Sequence, residues 1–256
     1  MESVNFHHDL ALLDWQVELG ATEAICDAPV NRYEVPASVE KPKKAAEPVK
    51  RGIVTPVEVD AVAIAERAAQ AAQSLTELQE ALARFELCEP KKGARNPVFS
   101  GGIVGARVMV VGEAPDRDED RAGTPFVGRA GQLLDRMFAA IDMGRTNEAA
   151  PVYLTNVLPW RPPQDRDPKP EEIAMMRPFL MRHIALAKPD VLVAMGNHAC
   201  QALLNKRGIS RLRGQWAEAA GLPVIPMFHP GHLLRNTDAK REAWADLLSL
   251  KARLAK

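Results

Sequence analysis

The chain has 256 residues, with 33 Lys and Arg balanced against 33 Asp and Glu. That length holds one full α/β domain and an appended tail but crowds two domains, and zero net charge excludes a protein that coats DNA or a membrane surface by bulk charge, so any nucleic-acid contact must be local. Cys26, Cys88 and Cys200 form no CxxC pair, which excludes a disulfide framework, and the sequence shows neither a signal-peptide start nor the roughly 20-residue apolar run of a membrane span; a cytoplasmic monomer is the expectation.

Taken in chain order, residues 9–24 place Leu10, Leu13, Trp15 and Val17 on an imperfect apolar face and predict a short helix. Residues 36–56 are rich in Pro, Lys, Ala, Val and Glu without an apolar period, the composition of an extended, solvated linker. A tail and linker over 1–56 and a folded domain over 57–256 follow from this shift. Residues 57–73 are alanine-rich and predict a helix. Ser74-Leu75-Thr76-Glu77 has the capping-box spacing, in which hydroxyl and carboxylate each satisfy a backbone N–H that a helix start leaves unpaired. A helix therefore runs from near Leu75 to near Cys88.

Beyond Gly105, four short β-branched runs at 107–111, 152–157, 191–195 and 224–227 read as buried strands. Helical stretches at 131–141, 170–187 and 198–205 lie between them, and one at 239–254 closes the chain. The alternation predicts an α/β fold: three layers, α/β/α, around a central, mostly parallel four-stranded sheet. Such sheets take ligands at the carboxyl ends of their strands. Gly112-Glu113-Ala114-Pro115, Thr155-Asn156 and His229-Pro230-Gly231-His232 all fall there.

The stretch 112–128, GEAPDRDEDRAGTPFVG, suits a tight loop with backbone N–H groups facing a ligand and Phe126 offering a face to a base. Its composition equally fits a solvated acidic loop with Phe126 plugging the core. Asp116, Asp118 and Asp120 resemble the opening of a calcium loop, but the sixth position lacks glycine and Val127 holds the twelfth. An Asn at a strand end, such as Asn156, either caps a turn or reads a base edge with one acceptor and one donor. His229, before Pro230, either is structural or donates to a developing oxyanion. Arg161 and Arg166 in a stiff proline-rich loop, and Arg211 with Arg213, are candidate phosphate contacts. His198 and His232 read as ordinary helix-start histidines.

Taken together, GEAPDRDEDRAGTPFVGRAGQLLDRM, TNVLPWRPPQDRDPKPEEI, GISRLRGQW and FHPGHLLRNTDAKREAWADL resemble, in order and spacing, the type 4 branch of the uracil-DNA glycosylase superfamily, from about Leu75 to the C-terminus. The resemblance implies an enzyme that flips deoxyuridine out of uracil-containing DNA and hydrolyses its glycosidic bond, leaving an abasic site. It implies that Phe126 stacks on uracil, Asn156 reads N3 and O4, His229 donates to O2, and Glu113 and Ala114 supply backbone contacts around base and water. Glu119 would line the C5 edge. Leu233, Leu234 and Arg235 would press into the stack beside the flipped base. The tail before residue 57 lies outside the resemblance and is expected to be dispensable for chemistry, a docking peptide for another repair or replication protein.

Two departures stand out. Asp116 replaces a glycine of the branch's usual GEAPG, which either tightens the loop or adds charge near DNA. The four cysteine positions that hold an iron-sulfur cluster in that branch carry Phe85, Cys88, Trp160 and Met176, so no cluster is expected and apolar packing is expected in its place. Two alternatives remain open: a binding module that recognises DNA or damaged bases without turnover, and a metal-dependent phosphohydrolase using the acids at 116–120. The Arg-rich, histidine-bearing insertion of covalently trapping relatives is absent after Gly128, so turnover is expected.

Overall fold

A computed structural model describes residues 6–20 and 60–255, and the chain divides into two units, Met1–Val57 and Glu58–Lys256. In the first unit α1 (Phe6–Glu18) begins three residues before the helix expected at 9–24 and ends before Leu19, residues 21–24 lying outside the described residues, and Leu10, Leu13, Trp15 and Val17 are exposed. The linker expected at 36–56 lies outside the described residues.

The second unit begins with α2 (Ala61–Ala71) and α3 (Leu75–Arg84). Ser74 Oγ accepts from Glu77 N at 3.2 Å, while Glu77 Oε2 accepts from Gln73 N at 2.7 Å, one residue earlier than the capping box predicts. The helix stops at Arg84 instead of running on to Cys88, because Phe85 is extended and a single 3₁₀ turn, Glu89–Lys92, carries Pro90 in its first turn. The chain then forms β1 (Gly101–Gly102), β2 (Val108–Gly112), α4 (Arg117–Ala122), α5 (Gly128–Ala139) and β3 (Val152–Asn156). After these come α6 (Pro170–Ala187), β4 (Val191–Met195), α7 (Asn197–Leu204), α8 (Ile209–Leu212), β5 (Ala217–Ala219), β6 (Leu222–Met227), α9 (Pro230–Arg235) and α10 (Lys240–Leu254).

The sheet order is β1-β3-β2-β4-β6-β5. Its centre is the expected four parallel strands, with Val110 opposite Leu154 on one side and Val193 on the other. The sheet nevertheless has six strands, because β1 and β5 add short antiparallel edges. Two glycines and three residues are too few to show an alternating pattern, so neither edge is visible in the sequence.

Every residue of β2, β3 and β4 is buried, as a sheet covered on both faces requires. Period-two alternation splits them between two cores. Met109, Val111, Leu192 and Val224 pack with Leu78, Leu82, Phe179, Ile184 and Leu203 of α3, α6 and α7. Val108, Val110, Val193 and Ile225 pack with Leu134, Phe138, Leu247 and Leu250 of α5 and α10. Each such side chain contributes about 1.5–3 kcal/mol by leaving water. β2 lies between β3 and β4, so the chain reverses direction across it and opens a crevice at the carboxyl ends.

Two of the expected loops are short helices. α4 starts on its own capping box, and α9 starts on Pro230 at its first position; six residues each give no apolar period to detect. Arg213, a candidate phosphate contact, is spent inside the fold. Its Nε lies 2.9 Å from Asp246 Oδ2, its Nη2 also binds that carboxylate, and Asp246 is 2% exposed. Arg213→Met should lower unfolding stability by about 3 kcal/mol by leaving a buried carboxylate unpaired. Adding Asp246→Leu should restore much of it, as urea titration of the single and double variants will measure.

Candidate active site

Three strand ends converge. Gly112 closes β2, Asn156 closes β3, and His229 follows β6 and caps α9. Gly112 has no side chain where one would collide: a Cβ there would stand 2.2 Å from Asn156 Oδ1 and 2.6 Å from Phe126 Cζ. The amide and the aromatic ring therefore meet over the end of β2. On the other side, the Phe126 and His229 rings stack with centroids 5.7 Å apart at 28°. Phe126, Asn156 and His229, far apart in the chain, form one constellation.

Asn156 is 6% exposed, and its Nδ2 has no hydrogen-bond partner. An orphaned buried donor costs about 1–3 kcal/mol. Held in place by the surrounding fold, such a group is a donor available to a ligand. His229 Nδ1 accepts from Gly231 N at 3.1 Å, so the neutral ring carries its proton on Nε2. Burial is the main reason its pKa lies below the ordinary histidine value; Arg235 and His232 push it the same way, while Glu113 and Asp116 oppose them. At neutral pH His229 is thus an uncharged Nε2–H donor.

Phe126 sits in left-handed backbone at φ 54, a conformation worth about 1–3 kcal/mol of strain for a bulky residue. Contacts on both sides hold it there. The Glu119 carboxylate accepts its N–H, and Arg145 Nη2 donates to its carbonyl at 2.8 Å while pairing with Asp135 at 2.7 Å. Gly131 packs against the same carbonyl so closely that a Cβ would stand 1.7 Å from it. Sequence reasoning missed Arg145 altogether, since nothing local distinguishes it from any surface arginine.

The acidic stretch is not a tight loop with its N–H groups turned to a ligand. Asp116 Oδ1 accepts from Asp118 N and Glu119 N, both at 2.9 Å, and Glu119 Oε2 accepts from Asp116 N at 2.7 Å. Asp116 is therefore the N-cap of α4, and Asp120 holds Arg95 N and Asn96 N. Among the described residues no group of three or more His, Cys, Asp or Glu could hold a metal ion. Glu119 is buried and ties Phe126 to Asp116. Its carboxylate lies close enough to the Asn156 amide to feel it, though no hydrogen bond joins them.

The Glu113 carbonyl accepts from Leu158 N at 3.1 Å, and its carboxylate binds His198 at the start of α7; Ala114 is half-buried. The expected DNA contacts divide. Leu233 is 1% exposed and packs in the core below α9, so it cannot be a wedge in this conformation; Leu234 is half-buried and Arg235 exposed. Arg161 forks onto Asp165 at 2.5 and 2.9 Å. Arg166 neutralises the buried Glu172 at 2.5 and 2.9 Å, which commits it to the fold instead of to phosphate. Phe85, Cys88, Trp160 and Met176 are all buried in one apolar cluster, where burial pushes the Cys88 thiol up to about 12.

Glu119 also makes stability depend on pH. Burial raises its pKa from 4.5 to about 7, against the pull of the Asp116 and Phe126 N–H groups. Between those values the unfolded chain is ionised and the folded one still protonated, so this side chain contributes stability at acid pH that is lost as pH rises from about 4.5 to about 7. Urea titrations across pH 4–8 should show the wild type losing ground to Glu119→Gln over that interval. Parallel pH profiles would contradict this.

Comparison with known proteins bears on this geometry. The sequence model described as the Uracil DNA glycosylase superfamily matches residues 99–248, more than half the chain. The type-4 uracil-DNA glycosylase of Archaeoglobus fulgidus is 36% identical over 183 residues, covering 68% of this chain and 90% of that one. The type-4 uracil-DNA glycosylase of Thermotoga maritima is 38% identical over 162 residues, 62% of this chain and 82% of that one. A type-5 uracil-DNA glycosylase of Pyrobaculum aerophilum is 32% identical over 157 residues, 55% and 68% of the two chains. The matched span contains Gly112, Phe126, Asn156 and His229, and with it the chain belongs to the uracil DNA glycosylase superfamily, on its type-4 branch.

Proposed function

We propose that this protein is a monofunctional uracil-DNA glycosylase that takes deoxyuridine out of the base stack and hydrolyses its N-glycosidic bond, releasing uracil in base excision repair. The observation that carries the reading is the meeting of Phe126, Asn156 and His229 over the bare end of β2. A uracil ring stacks on Phe126. Asn156 Oδ1 accepts from N3–H and its free Nδ2 donates to O4, a pattern that cytosine, with a bare N3 and an amino group, cannot answer. As the bond from N1 to C1′ breaks, both electrons pass to uracil and charge collects on O2. The Nε2–H of His229 stabilises that anion in the transition state. Water placed by backbone groups at Glu113 and Ala114 adds its hydroxyl to the cationic C1′ and returns a proton to the departing base.

Leu234 and Arg235 on α9 are the side chains left to fill the stack once Leu233 is assigned to the core. The binding-only reading rested on Asp116, whose side chain caps α4; an excision assay on the wild type separates that reading from the enzyme one. An iron-sulfur cluster does not fit the donor set at the four expected positions: one thiol, Cys88, faces a phenyl, an indole and a thioether. No step of the reaction passes through a cluster. The exposed apolar residues of α1 support a docking role for the tail toward another repair or replication protein, apart from the chemistry.

Alkali cleavage of uracil-containing strands, single-stranded or paired with G or A, tests the reaction. Wild type should cut all or some of these; His229→Ala should lose on the order of 10²-fold in rate with little change in binding. Asn156→Asp should relax uracil selectivity or abolish excision, since an ionised carboxylate cannot donate to O4. Binding without release from any of the three substrates would replace the enzyme reading by the binding module. Protein purified without oxygen should be colourless, and stoichiometric iron and sulfide in it would overturn the cluster-free reading.

A further inference from the structure

A second polar assembly lies at the end of β2, apart from the three residues that meet uracil. Glu113 Oε1 accepts two hydrogen bonds from one residue: the backbone N–H of His198 and its Nδ1, each at 2.9 Å. Arg207 Nη2 stands 3.4 Å from His198 Nε2. A guanidinium only donates, so Nε2 is the acceptor and the ring proton sits on Nδ1, aimed at Glu113. Gly196, at φ +97, closes the cradle: a Cβ there would stand 2.6 Å from the Glu113 carboxyl carbon. His198 itself is 5% exposed.

The arrangement is more than a local helix cap. Helices are ordinarily capped by a Ser, Thr, Asp or Asn at the residue just before the first turn. Here that residue is Gly196, which has no side chain to offer. The carboxylate arrives instead from the end of β2, 85 residues away in the chain. The bond therefore ties the strand end that carries Gly112, Glu113 and Ala114 to the helix that follows β4. The same carboxylate is close enough to His229 for each to shift the other's proton affinity.

We infer that His198 is a positioning residue for uracil excision: through the Glu113 carboxylate it fixes the Gly112-Glu113-Ala114 segment from which water and base are held. The inference rests on the glycosylase reading and goes beyond it, because His198 touches neither base nor water. Loss of its ring donor leaves the Glu113 carboxylate on the backbone N–H alone, without the second bond that fixes its direction, and the backbone atoms beside it hold their distance to C1′ less tightly. Misplacement of that kind lowers the rate of the chemical step and leaves the DNA contacts on α9 untouched.

A double-mutant cycle tests it, read as single-turnover excision of a U:G duplex by excess enzyme beside affinity for the same duplex carrying non-hydrolysable 2′-fluoro-deoxyuridine. His198→Leu should slow excision about tenfold or more, as expected for losing a hydrogen bond to a charged group, and change affinity less than about threefold. His198→Asn, whose Nδ2 stands near the place of Nδ1, should recover most of the rate. In a Glu113→Ala background His198→Leu should cost nothing further. An equal loss in both backgrounds, an unchanged rate, or a loss confined to affinity would overturn the inference. If His198→Leu does not melt cooperatively, His198→Gln takes its place, since its donor falls at the Nε2 position; a wild-type rate there would overturn the inference equally. Wild-type excision on the same duplex is the control: its absence would sink the glycosylase reading, whatever His198 does.

Discussion

At the end of β2 a single hydrogen atom, on Gly112, stands where any other residue would place a carbon 2.2 Å from Asn156 Oδ1 and 2.6 Å from the Phe126 ring. The rest of the site depends on that close approach. It lets a strand end, an amide and an aromatic face occupy one small volume, and it leaves the Asn156 Nδ2 donor buried and unspent. A fold tolerates an orphaned donor and a phenylalanine in left-handed backbone only when surrounding contacts overdetermine both. Glu119, Arg145 and Gly131 do this for Phe126, and the buried parallel strands β2 and β3 do it for Asn156.

Charge follows the same economy of position. The chain is neutral as a whole, and several arginines that look free in the sequence are committed inside: Arg213 to Asp246, Arg166 to Glu172, Arg145 to Asp135 and the Phe126 carbonyl. Arg235 remains exposed beside the site, on the helix that His229 caps. His229, held uncharged by burial, likewise adds no fixed charge to the site.

Aromatic packing and a cation–π contact hold the segment after α3. Phe85 meets Phe179 edge to face at 5.3 Å, Lys91 lies over the Trp160 ring, and Cys88 and Met176 are buried in the same core. Together with the Lys169–Glu89 ion pair at 3.0 Å, these contacts anchor the segment after α3 to α6. Phe85 and Met176 bring no strong hydrogen-bond donor into this core, so their burial leaves no polar group in need of a partner.

The residues alone determined the elements whose information is local. β-branched runs marked the four parallel strands to within two residues, the Ser74 cap marked the start of α3, and long motifs in order marked the family. Short pieces escaped: β1, β5, α4 and α9 are too brief for a period to emerge, and Leu233 could not be told from Leu234 without knowing which faces the core. Only the tertiary structure decided which charges are free, what holds Phe126 in its strained conformation, and that His198, an ordinary residue at a helix start by sequence, grips Glu113. Those are contacts between segments tens of residues apart. Their geometry comes from how helices and strands pack, and no spacing along the chain encodes it.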